Sequence, residues 1–107
     1  MTNAENKMNL IVDTIYTFKL NSGEELVAKV AASNEKTITI TDPVSIAPGP
    51  QGGLGLVPSL FTAKMHSPVT INTNSVALIA EVDENVQTKY IQATTGLTIP
   101  EKKVLIG

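Results

Sequence analysis

Few residues in this sequence have side chains that could do chemistry. His66 is the only histidine and cysteine is absent, so a site with two histidine ligands, a cysteine-ligated zinc site and a cysteine nucleophile are all excluded. Glu24 and Glu25 are adjacent acids that flank a predicted turn, and we interpret them as solvated side chains rather than as a general acid–base pair. The sequence has no Gly-x-Ser-x-Gly motif. We therefore expect no enzymatic activity, no metal and no cofactor.

A segment rich in glycine and proline occupies residues 47–59. Its glycines lack the Lys-Ser/Thr pair and the following helix of a phosphate-binding loop. The composition instead predicts a mobile connection between strands.

The charge balance disfavours strong attraction to nucleic acid. The chain has eight lysines, no arginine and ten acidic residues, which gives a net charge of −2. Nucleic-acid-binding proteins usually carry a basic patch and use arginine for bidentate contacts. No stretch approaches the ~20 apolar residues of a membrane-spanning helix, and residues 1–7 lack the features of a signal peptide. We therefore expect a cytoplasmic protein.

The N-terminal half predicts three antiparallel strands within one domain of 107 residues. Apolar and polar residues alternate with the period of two that is typical of half-buried strands. The predicted strands cover residues 15–20, 25–32 and 37–46, with turns at 21–23 and 33–36. The apolar residues of the third strand, on both sides of Pro43, are expected to share one face of the sheet: Ile38, Ile40, Val44 and Ile46.

The C-terminal half predicts two more strands. The fourth covers residues 60–71 with an interruption near Pro68, and the fifth covers 76–82. The fifth is apolar on both faces, which is typical of a strand that is central in a sheet or covered by another subunit.

A helix over residues 84–95 is predicted to follow the last strand. Asp83 is the candidate N-cap, and Gly96 is suited to a left-handed C-terminal cap. Residues 1–9 are expected to be frayed. The apolar run 104–106 is expected to dock on its own domain or on a neighbour.

The stretch from Tyr16 to Asp42 resembles the first motif of Sm-like proteins. It joins a strand ending in Leu-x-x-Gly to a long strand, a short turn and an alternating strand that closes near Asp. The second Sm motif is partly recognisable over 74–82, and the helix over 85–97 is similar to that of Sm-like proteins encoded by tailed phages of marine cyanobacteria. The resemblance implies an all-β fold, a small, strongly bent five-stranded antiparallel Sm-like (SH3-like) barrel with a C-terminal helix. Sm-like proteins usually carry their helix before the first strand, whereas here it follows the last.

The same resemblance implies a partner and a set of site residues. Members of the family form rings through their fourth and fifth strands and bind single-stranded RNA near the pore. In this chain Asn34 matches the first base-reading position of the family, Lys36 replaces the stacking residue, and Ile38 occupies the last position. The candidate RNA-binding residues are therefore Asn34, Lys36 and Asn74, and the candidate residues of the oligomer interface are Val76, Leu78 and Ile79.

Two functions remain open from the sequence. The first is a non-enzymatic homo-oligomeric ring that binds single-stranded RNA, as the resemblance to Sm-like proteins implies. The second is a phage structural or adaptor ring that binds protein, which the absence of arginine and of a stacking residue favours.

Overall fold

The computed structural model describes residues 9–49 and 52–95. In this part of the chain it contains six strands, one α-helix and one short 3₁₀ turn: β1 (Ile15–Leu20), β2 (Glu25–Ser33), β3 (Thr37–Pro48), β4 (Leu54–Pro58), β5 (Pro68–Asn72), the 3₁₀ turn (Thr73–Ser75), β6 (Val76–Glu81) and α1 (Glu84–Thr95). The prediction of a mostly antiparallel β protein with one C-terminal helix is confirmed.

The strands form one antiparallel sheet with the order β4-β3-β2-β1-β6. β5 also pairs with β3 and lies along residues 37–41, whereas β4 lies along residues 44–48 on the same edge. Within the described residues β5 and β6 do not pair with each other, although only the 3₁₀ turn separates them. The prediction of five strands in a barrel was therefore wrong in detail, because the sheet has six strands and is not closed.

The predicted fourth strand is replaced by two shorter strands. Residues 60–67 form bends and turns, and only β5 remains of the predicted strand. β4 instead forms inside the segment predicted to be a loop. Gly52 has a φ of +85°, which glycine adopts without steric cost, and this turn lets β4 fold back along the second half of β3.

A β-bulge at Asp42 moves the end of β3 to the other face of the sheet. Val27 pairs with Val44 while Lys29 pairs with Thr41, so β3 carries one extra residue over this interval. Asp42 has a φ of +51°, which a short polar side chain tolerates better than most. The expectation that Val44 keeps the face of the preceding isoleucines was therefore wrong.

The sheet consequently has a buried cluster on each face. The inner cluster, on the face of the sheet away from α1, consists of Tyr16, Phe18, Leu26, Ala28, Val30, Ile38 and Ile40. The outer cluster lies beneath α1 and consists of Ile15, Val27, Val44 and Tyr90. The helix thus supplies the second layer that covers the outside of the sheet.

Tyr90 completes the hydrogen bonding of the sheet at the bulge. Its hydroxyl accepts a hydrogen bond from the Lys29 amide at 3.2 Å and donates one to the Thr41 carbonyl at 3.0 Å. Lys29 and Thr41 face each other across β2 and β3, where the extra residue disrupts the ladder. The side chain is only 2% exposed, so it satisfies two backbone groups that the bulge would otherwise leave unpaired.

The helix begins where the sequence predicts. The Asp83 carboxylate accepts hydrogen bonds from the amides of Asn85 at 3.0 Å and Val86 at 3.3 Å, which confirms the predicted N-cap. The predicted cap Gly96 lies outside the described residues. No helix in the described part of the chain is long and apolar enough to cross a membrane.

Replacing Tyr90 by phenylalanine should lower the free energy of unfolding by about 1–3 kcal/mol, because it leaves a partly buried amide and a partly buried carbonyl without their shared partner. Urea unfolding measures this loss. Tyr16→Phe is the matched control, since among the described residues its hydroxyl accepts one hydrogen bond, from the amide of Ile11 at 2.9 Å. An equal or smaller loss in Tyr90→Phe than in the control would contradict the bridging role.

Stability should also fall at high pH through Tyr90. Burial, with a smaller contribution from the Asp42 charge, raises the pKa of Tyr90 from 10.0 to about 12, although the hydrogen bond from the Lys29 amide opposes this shift. The folded chain therefore holds this proton more tightly than the unfolded chain. The resulting stabilisation is complete below pH 10 and is lost as pH rises towards 12. The difference in unfolding free energy between wild type and Tyr90→Phe should shrink over this range, and a constant difference would contradict the assignment.

Candidate functional site

Two turns meet at one end of the sheet and bring the three candidate RNA-binding residues together. The Thr73 amide donates to the Lys36 carbonyl at 2.9 Å. The Thr73 hydroxyl lies 2.9 Å from the Glu35 carbonyl and 3.1 Å from that of Lys36. The turn that carries Asn34 and Lys36 is therefore fixed against the 3₁₀ turn that carries Asn74.

The side-chain oxygen of Asn34 forms hydrogen bonds within its own turn. The oxygen accepts hydrogen bonds from the amides of Lys36 at 2.7 Å and Thr37 at 2.9 Å. This is the arrangement by which asparagine stabilises a turn. A ligand at this position could therefore accept a hydrogen bond from the side-chain NH₂ group of Asn34, whereas the side-chain oxygen is already bonded to the turn.

The other sequence-predicted positions differ in accessibility. Lys36 is exposed and forms no ion pair with the described residues. Ile38, which matches the last base-reading position, is 2% exposed and belongs to the inner cluster. Its side chain is therefore not accessible to a ligand at the turn, and it is not available for the base-reading role that the family resemblance implies for this position.

Asn21 was missed by the sequence analysis. Its side-chain amide donates to the Asn74 carbonyl at 2.6 Å, and its backbone amide donates to the Ser75 carbonyl at 2.8 Å. The turn between β1 and β2 thereby holds the 3₁₀ turn in place, while the Asn74 side chain is exposed. The only sequence signal for this role is an asparagine in a predicted turn.

The chemistry available at this end of the sheet is polar and weakly charged. Lys36 contributes a cation and Glu35, its neighbour, an anion, while the asparagines contribute amide groups. The residues of the two turns include no aromatic side chain on which a base could stack. The arrangement can donate hydrogen bonds to a phosphate or a base edge, but it lacks the features of a strong nucleic-acid site.

The candidate interface residues fall into two groups. Val76 and Ile79 pack against the inner cluster, so their side chains contribute to the core of their own subunit. Leu78 points away from the core and is 65% exposed. Because β5 pairs only with β3, and β6 only with β1, each strand keeps one edge without a strand partner in the described residues.

The charged residues considered for catalysis have structural contacts. His66 lies in a turn with a φ of +62°, rather than in the predicted strand, and its Nδ1 is 2.9 Å from the Asp42 carboxylate. Glu24 accepts a hydrogen bond from the Ser45 hydroxyl, and Glu25 lies 3.8 Å from the Lys19 ammonium. The described residues contain no cluster of three His, Asp or Glu side chains that could hold a metal ion.

Comparison with known proteins adds no family assignment. No protein-family model and no curated protein matches this chain.

Asn34→Ala should destabilise the fold by about 0.5–2 kcal/mol, because two turn amides lose their acceptor. Asn74→Ala is the matched control, since only the backbone carbonyl of Asn74 forms a hydrogen bond to Asn21. Thermal unfolding should therefore show a lower midpoint for Asn34→Ala and little change for Asn74→Ala. Equal midpoints would contradict the structural role of the Asn34 side chain.

Proposed function

We propose that this chain is a non-enzymatic, Sm-like subunit that assembles with copies of itself into a ring. The observation that supports this proposal is that β5 and β6, two strands joined by a three-residue turn, each keep one edge with no strand partner among the described residues. An unpaired strand edge presents a row of amides and carbonyls that can pair with another chain.

The two edges are different surfaces, so their pairing is heterologous. The β5 edge of one subunit would pair with the β6 edge of the next, and the same contact would repeat around the assembly. A heterologous contact generates a closed ring when its rotation closes, and a filament when it does not. The resemblance of the sequence to Sm-like proteins favours the ring.

The outward face of β6 supports this mode of assembly. Leu78 and Ala80 are exposed there, beside Lys19 and Thr17 on β1. Covering a side chain of the size of Leu78 contributes about 1.5–3 kcal/mol. Assembly through the edge would add backbone hydrogen bonds to this contribution.

Leu78→Glu should convert the assembly into monomers without unfolding the chain, because the side chain is exposed in the subunit and a carboxylate is costly to bury unpaired. Sedimentation velocity measures the change in mass. Leu54→Glu is the matched control, since Leu54 is 53% exposed and lies at the far end of β4. Ile79→Glu is a poorer test than Leu78→Glu because Ile79 packs against the core.

Two results would contradict the proposed assembly. One is a wild-type protein that sediments as a monomer at micromolar concentration. The other is a Leu78→Glu variant with the mass of the wild type and an unchanged circular dichroism spectrum.

The ligand that we propose for the ring is single-stranded RNA, bound weakly. A ring would gather one exposed Lys36 from every subunit into a circle of positive charge, beside the amide groups of Asn34 and Asn74. The net charge of −2 per chain and the lack of a stacking side chain at the turns limit the affinity. The alternative, an adaptor ring for a protein, is favoured by the commitment of the Asn34 side-chain oxygen to its own turn.

RNA binding should be no tighter than micromolar at physiological salt, with a slope of about −0.7 per neutralised phosphate in a plot of log affinity against log salt. Lys36→Ala should flatten this slope, and Lys89→Ala, an exposed lysine on α1, is the matched control. Fluorescence anisotropy with short U-rich and A-rich oligonucleotides measures both. Nanomolar binding in half-molar salt would contradict the proposed site, and no binding to any homopolymer would favour the adaptor ring.

A further inference from the structure

An apolar groove lies on the side of the molecule where α1 ends. It has a volume of about 510 Å³, and its lining includes Pro43, Pro58, Val69 and Ala93 together with Phe61 and Met65. The groove thus lies between the bulge of β3, the segment that follows β4, and the last turn of the helix. Its volume falls within the range of about 300–1,000 Å³ that is typical of ligand pockets.

The groove exposes the most solvent-accessible large apolar side chains of the described chain. Phe61 is 81% and Met65 is 80% exposed, and the neighbouring Leu60 is 49% exposed. Clustered apolar side chains of this kind mark a surface that another apolar group covers. In contrast, several polar groups at the groove already have contacts, since His66 pairs with Asp42 and the Ser67 hydroxyl donates to the Lys64 carbonyl at 2.7 Å.

The C-terminal residues of the chain supply a matching apolar group within reach. Residues 96–107 lie outside the described residues, and they contain the run Val104-Leu105-Ile106 after Glu101 and two lysines. Thr95, the last residue of α1, itself lines the groove. The segment from Thr95 to Val104 spans at most about 30 Å when fully extended. Because Thr95 lines the groove, this length is sufficient for the apolar run to reach the groove of the same chain.

We propose that Val104, Leu105 and Ile106 bind in the groove of the same chain and cover Phe61 and Met65. A short tether raises the effective concentration of the segment into the millimolar range, so a modest intrinsic affinity is sufficient. This docking depends neither on assembly into a ring nor on RNA.

Met65 provides a direct probe of the docking, because it lines the groove and methionine occurs only three times in the sequence. In full-length protein labelled at the methionine methyl groups, Leu105→Asp should shift the Met65 signal and increase its relaxation by a soluble paramagnetic agent. Thr98→Asp adds the same charge to the same tail and should leave the signal unchanged. An unchanged Met65 signal in Leu105→Asp, or an equal shift in the control, would overturn the proposal.

A mixing experiment separates docking in the same chain from docking in a neighbour. Labelled Leu105→Asp, with an intact groove, is mixed and reassembled with unlabelled Phe61→Asp, which keeps an intact tail. Docking in the same chain predicts that the labelled Met65 signal stays at its shifted position. Return of the signal to the wild-type position would show that the tail binds a neighbouring subunit and would overturn the proposal as stated.

Discussion

Every backbone amide and carbonyl removed from water needs a hydrogen-bond partner, and this constraint governs the whole structure. At the bulge of β3, the partner of the Lys29 amide and the Thr41 carbonyl is the hydroxyl of Tyr90. Tyr90 therefore joins α1 to the sheet by hydrogen bonds, while Val86 and Ile91 pack on the same outer cluster. At the turn before β3, the side-chain oxygen of Asn34 is likewise the hydrogen-bond partner of two backbone amides.

The edges of β4, β5 and β6 that have no strand partner among the described residues leave this requirement to water or to another chain. Water can hydrogen-bond these groups in an isolated subunit, but an edge beside an exposed Leu78 is also a template for another strand. The 3₁₀ turn keeps the edges of β5 and β6 apart, since Thr73 and Asn21 bind it to the neighbouring turns. The proposed assembly through these edges would satisfy the same constraint that Tyr90 satisfies at the bulge.

The sequence predicted the elements whose pattern is local, and it missed those that depend on distant contacts. Alternation predicted the first three strands, because only one register keeps their apolar residues on the buried face. Asp83 predicted the start of α1. The bulge was missed because its cost is offset by Tyr90, which lies 49 residues from Thr41. β4 was missed because its glycine and proline content is typical of a loop, whereas its pairing depends on the extension of β3. At the candidate site, the resemblance supplied Asn34, Lys36 and Asn74, but no local pattern could reveal that the Asn34 oxygen is committed to its turn.

Hydrogen exchange at the backbone amides of β5 and β6 tests the proposed assembly most directly, because pairing of these edges must protect amides that the isolated subunit leaves to water. The comparison is between wild-type protein at high concentration and the Leu78→Glu variant. The account predicts slower exchange in β5 and β6 of the wild type, with equal rates in β4 of both proteins. Equal rates in all three strands, or protection confined to β4, would contradict it.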